Sequence, residues 1–351
     1  MIHGSYLVKI RLLICGFGRV GQAFAELLDS KKDRLRDRLN LEINVVCVVD
    51  LFGAAAGHGK QECVPLKDLL AFVKQGGRVD QFPHLGRTEL KGKRAILETE
   101  VDILAEATPT NIVDGEPGLT HIRTALKRKI HVISANKGPL VLRFGELNSL
   151  AEKQGVQLRF GAATAAALPT VDLAHYCLAG SEITQIEGIL NGTTNYILTR
   201  MYKSECTLEE ALSEARDMGI AEKDPTLDLE GWDTASKLVL IANELFGCNL
   251  SLSDVTVSGI SGITREKIAD VKKEGKIMKL IGRISTHNSK VAASVSPESL
   301  SIEDPLATVN GAEKGITFDT DSMGKVTVMG GKSSPKAAAA ALLRDLINIY
   351  R

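Results

Sequence analysis

The chain has 351 residues, 44% apolar and 25% charged, with a formal net charge of +0. That length suits two domains better than one core, and the composition is ordinary for a globular protein. The balanced charge excludes the basic excess that nucleic-acid binding needs, and no run reaches the roughly 18 apolar residues of a membrane span.

The opening "MIHGSYLVKIRLLICG" lacks the long apolar run and small-residue cleavage site of a secretory signal. Cys15, Cys47, Cys63, Cys177, Cys206 and Cys248 form no CxxC pair and read as reduced thiols, so a cytoplasmic location is expected. His175 and Cys177 lack further ligands nearby and are not expected to hold zinc.

A first strand runs from Ile10 to Cys15, turns through Gly16, Gly18 and Gly21, and enters a helix with Val20 and Phe24 on one face. A second apolar strand, "INVVCVVD", ends at Asp50. Residues 53–95 read as a looped excursion with one short helix over Leu66 to Lys74. "VDILAEATPT" and "IHVISANKGP" are further strands, separated by a helix over roughly Glu116 to Arg128. Strands alternating with helices predict an α/β fold: a doubly wound parallel sheet of Rossmann type, covered on both faces.

From about residue 160 the texture changes. "EITQIEGILNGTTNYILTRMY" reads as strand, turn and helix. In "CTLEEALSEARDMG", Thr207 and Glu210 have capping-box spacing and Gly219 marks the stop. The last helix, "SPKAAAAALLRDLINIY", has Ser334 as its cap and Pro335 in its first turn. A second domain of α+β type is expected over residues 161–324. Residues 325–351 are expected to fold back onto 1–160.

Gly16, Phe17, Gly18, Arg19, Val20 and Gly21 spell the G-x-G-x-x-G fingerprint between a strand and a helix. The first glycine allows the turn and the second lets the backbone approach a pyrophosphate. The third lets helix and strand pack closely, and the phosphate meets the helix N-terminus. Asp50 is the candidate for the ribose hydroxyls of NAD. Arg19, or a basic residue beyond Asp50 such as Lys60, could instead serve the 2′-phosphate of NADP, and the pattern leaves that choice open.

The segment "AEKDPTLDLEGWDTASKLVL" brings Glu222, Asp224, Asp228, Glu230 and Asp233 up to a helix in which Lys237 sits among apolar residues. That helix is apolar all round from 238 to 242, the mark of a buried helix. Asp233 and Lys237 stand at i and i+4, on one face. Asp228 reads either as a helix N-cap or as a ligand group. Desolvation lowers a lysine pKa and neighbouring carboxylates raise it, so Lys237 is suited to proton exchange. Carboxylates beside such a lysine fit a small ligand with an ammonium and a hydroxyl. With a nicotinamide present, the implied reaction is hydride transfer between an alcohol and an aldehyde.

The chain resembles homoserine dehydrogenase over nearly its whole length, on "GFGRVG" (16–21), "EATPTN" (106–111), "GEPGLTHIRTAL" (115–126), "HVISANKGPL" (131–140), "GILNGTTNYILTRM" (188–201) and "AEKDPTLDLEGWDTASKL" (221–238). The resemblance implies interconversion of L-homoserine and L-aspartate 4-semialdehyde with NAD or NADP, on the route to threonine, methionine and isoleucine. It implies that Glu222 binds the substrate ammonium, that Asp228 and Asp233 line the substrate pocket, and that Lys237 serves the hydroxyl proton. Gly192 and Thr193 would offer backbone contacts. Lys137, at a strand end, would sit between nicotinamide and substrate and form the proton-transfer pair with Lys237. Thr108 and Pro109 would lie near the nicotinamide half. A homodimer through the second domain is also implied.

The chain departs from the family pattern in "GAATAAALP". Gly161 stands where the family has a glutamate that helps hold a monovalent cation, and Ala165 and Ala167 replace glycines. Backbone carbonyls could still bind a cation weakly, but the charged ligand is gone, so the metal site does not carry over by motif. Ile220 stands where the family commonly has tyrosine, which changes one pocket wall. The chain ends soon after its last helix, so feedback inhibition by threonine through an added regulatory domain is not expected. Two alternatives remain: a dehydrogenase for another amino-acid semialdehyde, and a non-catalytic dinucleotide-binding regulator. The intact Glu222, Asp233, Lys237 and Lys137 argue against the second.

Overall fold

The computed structural model describes residues 6–57, 62–287, 290–331 and 333–351. The chain divides into two compact units, Met1–Ala163 with Pro335–Arg351, and Thr164–Ser334. Lys60 lies outside the described residues.

The first unit is built on β1 (Val8–Cys15), whose second half is wholly buried. Helix α1 (Arg19–Leu39) follows the glycine turn and leads into β2 (Leu41–Asp50), which pairs parallel to β1. The excursion is more structured than its sequence suggests. It contributes β3 (Gly53–Ala56) and β4 (Gly86–Arg87), both antiparallel, which extend the sheet beyond β2. Between them lies α2 (Leu66–Lys74), as expected, and beyond them α3 (Gly92–Glu98). The local pattern hides these strands because "GAAA" is too short to show a period.

On the other side of β1 the chain lays down β5 (Ile103–Glu106), α4 (Gly118–Lys127), β6 (His131–Ser134), α5 (Gly138–Gln154) and β7 (Leu158–Arg159). The sheet order is β4-β3-β2-β1-β5-β6-β7, parallel from β2 to β7. The order reverses direction between β1 and β5, which is where a doubly wound sheet offers its ligand crevice. The terminal helix over Pro335–Ile349 returns to this unit and packs Leu342 and Leu346 into the core that holds Phe24.

After the short α6 (Gly161–Thr164), the second unit forms an antiparallel-rich sheet. Its strands are β8 (Ile183–Ile189), β9 (Val255–Val257), β10 (Lys276–His287), β11 (Lys290–Ser301), β12 (Lys314–Thr320) and β13 (Gly324–Gly330). The order is β13-β12-β8-β10-β11-β9. The helices are α7 (Gly192–Ser204), α8 (Leu208–Asp217), α9 (Thr226–Leu229), α10 (Trp232–Phe246) and α11 (Arg265–Lys273). The helix over Pro335–Ile349, already placed, is α12. Leu198 and Met201 of α7, Leu238 and Ile241 of α10, and Ile284 and Phe318 of the sheet share one buried core.

The capping box of α8 forms as read, with Thr207 and Glu210 bonding each other's backbone. The expected boundary at 324/325 shifts. Strand β13 starts at Gly324 and pairs along β12, which keeps residues up to Ser334 with the second unit.

Candidate active site

In the first unit the glycine fingerprint folds as its chemistry requires. Gly16 follows β1 at φ +92°, and a Cβ there would lie 2.6 Å from the Thr108 amide nitrogen after β5. The two loops at the sheet's switch point therefore touch backbone to backbone. A Cβ on Gly21 would collide with the Gly16 carbonyl. Gly18 caps α1 and has no heavy atom within 4 Å of its missing Cβ, the open face a pyrophosphate needs. Phe17 is buried and its carbonyl accepts from Gln22 Nε2 at 2.9 Å, so it can offer a ligand only backbone. Arg19 is exposed and Val20 half-buried at the N-terminus of α1. Asp50 is half-buried at the C-terminal end of β2. These residues fit a dinucleotide.

The loop after β5, which carries Thr108 and Pro109, is tied down by groups that the sequence reading passed over. Glu106 is fully buried at the end of β5. It accepts from the Thr108 amide at 2.8 Å, from the Thr108 hydroxyl, and contacts His121 Nδ1 at 2.8 Å. Asn136 Nδ2 donates to Thr108 Oγ1 at 3.0 Å and to the Pro109 carbonyl at 3.3 Å. Burial, and then the Glu106 charge, push the Cys15 thiol well above its ordinary pKa, so it stays protonated beside them. Glu106, His121 and Asn136 lie inside the quoted motifs. What the sequence does not show is that they bond one another across loops. Lys137 stands three residues past β6 as the N-cap residue of α5, half-buried, rather than at the strand end.

In the second unit the acids and the lysine converge. Lys237 is 8% exposed in the first half of α10. Its ammonium donates to the Leu190 carbonyl at 2.8 Å and pairs with Asp233, whose side chain is 12% exposed. A surface ion pair is thereby excluded. Asn191, just ahead of Gly192, donates through Nδ2 to Asp228 at 2.6 Å and to Asp233 at 2.7 Å. Its Oδ1 accepts from the Thr194 amide at 2.9 Å and caps α7.

Asp228 is not a helix N-cap. It lies within α9, and α10 begins after Gly231, whose φ of +86° makes the corner between them. Desolvation, then the charge of Asp233, raise the Asp228 pKa above its ordinary value, while the hydrogen bond from Asn191 and the charge of Lys237 oppose that. The Thr193 hydroxyl donates to the Ile220 carbonyl at 3.2 Å. Ile220 packs against the apolar core, where a hydroxyl would need a partner. Glu222 is exposed in the loop before α9. Asn191 is the residue the sequence reading missed. Its signal is an Asn directly before a helix start in "NGTT".

A dinucleotide fold in one unit and a buried carboxylate–lysine cluster in the other define an NAD(P)-dependent oxidoreductase. Comparison with known proteins narrows this. The family model "Homoserine dehydrogenase, NAD binding domain" matches residues 16–161, and "Homoserine dehydrogenase" matches residues 169–347. A homoserine dehydrogenase of Methanocaldococcus jannaschii is 42% identical over 97% of this chain and 98% of its own. An NAD(+)-dependent homoserine dehydrogenase of Pseudomonas canavaninivorans is 36% identical over 98% and 97%. The crystal structure of a homoserine dehydrogenase from S. aureus superposes with a TM-score of 0.77 at 32% identity, covering 98% of this chain and 77% of that one. The chain belongs to the homoserine dehydrogenase family.

Proposed function

We propose that the chain interconverts L-homoserine and L-aspartate 4-semialdehyde, with Lys237 as the group that exchanges the hydroxyl proton. The observation that carries this reading is the Lys237 ammonium held between the Leu190 carbonyl and Asp233, with Asp228 fixed alongside through Asn191. A bound nicotinamide supplies the two-electron acceptor for the alcohol, or the donor to the aldehyde.

The chain's own residues do the rest. Glu222, with Asp228 and Asp233, offers negative charge to the substrate ammonium. The backbone of Gly192 and Thr193, at the start of α7, offers donors to the substrate carboxylate. As the aldehyde is reduced, the Lys237 ammonium gives a proton to the new alkoxide, and the neutral amine this leaves is the form that takes the hydroxyl proton when the alcohol is oxidised. For Lys137, the N-cap residue of α5, a role in proton transfer rests on the family resemblance alone.

The free thiols of Cys15, Cys47, Cys177, Cys206 and Cys248 suit a reducing compartment, which supports a cytoplasmic location. No helix among the described residues is long and apolar enough to cross a membrane. A homodimer through the second unit's sheet is part of the proposal, and light scattering of the purified protein tests it.

The deciding experiment follows reduced-nicotinamide formation with L-homoserine, with NAD and NADP side by side. Turnover supports the reading, and the cofactor ratio reports whether Asp50 or the basic residues govern the ribose site. Cofactor binding without turnover on homoserine, but with turnover on another amino alcohol, would replace the substrate and point to Ile220.

A further inference from the structure

The family resemblance brings with it a monovalent cation near residues 161–167, and the residues present do not fit one. At position 161 an acid would have to displace the ends of two charged side chains. A Cβ on Gly161 would collide with Arg344 Nη2 and stand 2.8 Å from Asp345 Oδ1. The Gly161 amide already donates to Asp345 Oδ2 at 2.8 Å. The side chains of Arg344 and Asp345 on α12 thus stand where a longer side chain would begin.

In the turn that follows, the Ala165 carbonyl already faces a cation. Lys314, the first residue of β12, is 3% exposed, and its ammonium donates to that carbonyl at 3.3 Å. The turn is fixed in shape. Ala166 sits at φ +54°, and the Leu168 amide donates to the same Ala165 oxygen at 3.3 Å.

We infer that the Lys314 ammonium is a built-in replacement for the monovalent cation, so that this chain neither needs nor binds Na⁺ or K⁺ at the 161–167 turn. The chemistry is interchangeable. Carbonyl oxygens hold Na⁺ or K⁺ by replacing its hydration shell, and they hold an ammonium by accepting its hydrogens. A tethered ammonium needs no binding from solution. It also repels a competitor: a metal ion about 4 Å from it would be bound on the order of 10³-fold more weakly at an effective dielectric near 20. The inference rests on membership of the family but not on the substrate proposed above.

The test compares thermal melting of the wild-type chain in sodium, potassium and choline chloride at equal ionic strength, together with sodium-23 NMR line broadening. Equal melting in the three salts and no saturable broadening is the expected result. A saturable rise in melting temperature specific to Na⁺ or K⁺ overturns the inference. Neither readout needs turnover, so an inactive protein tests it equally well. The second arm is Lys314→Ala. It should melt lower than the wild type in choline chloride and recover part of the loss specifically in Na⁺ or K⁺. A variant that melts like the wild type in all three salts overturns the inference. Should the variant fail to fold, the wild-type salt series decides alone.

Discussion

The side-chain nitrogen of Asn191 lies 2.7 Å from a carboxylate oxygen of Asp233, and the same nitrogen lies 2.6 Å from Asp228. An amide nitrogen carries two hydrogens, so one residue satisfies one oxygen of each acid. Its own oxygen caps α7. The acids, the start of α7 and, through Asp233, Lys237 are thereby fixed in one geometry.

Asn191→Ala removes both anchors. Hydrogen bonds to charged groups are worth about 1.5–3 kcal/mol each, so KM for the amino alcohol should rise by about 10- to 100-fold. Loss of the cap should cost roughly 1 kcal/mol of stability. Initial rates at varied homoserine and varied cofactor check this. The cofactor KM should not move, and a homoserine KM equal to wild type would sink the idea.

Asp228 is half-buried beside another acid, and its pKa is raised. In the window between its unfolded and folded values, the folded chain binds more protons, so this group's contribution to stability falls as pH rises and is unfavourable at neutral pH. Asp228→Asn should therefore raise the melting temperature at pH 7 while weakening homoserine binding. Melting at pH 7 and at pH 4 distinguishes this from a packing effect, because the gain should shrink at the lower pH. The opposite trend would refute it.

Lys237→Ala should lower kcat by about 10²- to 10⁴-fold, the usual size of a general acid–base loss. Asp233 would then lose its cation in a half-buried site, and a lower melting temperature should accompany the kinetic loss. Dinucleotide affinity, measured by fluorescence, should not change. A variant that keeps near-wild-type turnover removes Lys237 from the reaction.

Much of this site is legible along the chain because its determinants are local. The glycine turn, the Thr207–Glu210 box and the Asp233–Lys237 spacing each depend on a few neighbouring residues. What stays hidden depends on distant pairing. Strand β10 carries Lys279 and Arg283 among its apolar residues, and β11 is rich in serine, so neither shows a clean period. They become strands because each satisfies the other's backbone over twelve residues. Asp228 misleads for a related reason. An acid a few residues ahead of an apolar helix looks like a cap, but Gly231 makes the corner and Asn191, far away in sequence, holds the acid.

The glycine fingerprint yields a paired prediction. Gly18 has φ −74° and open space around its missing Cβ, whereas a Cβ on Gly21 would collide with the Gly16 carbonyl. Gly18→Ala should fold with an unchanged melting temperature yet bind NAD(P) more weakly, because the methyl enters the space a pyrophosphate needs. Gly21→Ala should melt markedly lower with or without cofactor. Calorimetry and cofactor titration on the two variants separate the roles. If Gly18→Ala binds the dinucleotide as the wild type does, the pyrophosphate does not sit on this turn.

A last prediction concerns Lys279, which is fully buried on β10 and faces neutral acceptors, Asn195 Oδ1 at 3.0 Å and the Val309 carbonyl. Desolvation, and secondarily the charge of Lys203, lower its pKa from 10.5 to about 8. Between those values the unfolded chain binds more protons than the folded one, so stability from this group rises with pH. At neutral pH the group instead costs the fold on the order of 3 kcal/mol, at about 1.4 kcal/mol per pKa unit. Lys279→Met removes that dependence but strands the Asn195 oxygen, while the Val309 carbonyl keeps its bond from Asn195 Nδ2, so its effect at any one pH is a balance of two terms. The slope is the cleaner observable. Urea unfolding of both proteins from about pH 7 to about pH 10 should show the wild type gaining on the variant by on the order of 2–3 kcal/mol. Parallel curves would mean that the ammonium is solvated in solution and that the Val309–Glu313 loop, which Asn195 also holds, is not sealed over it.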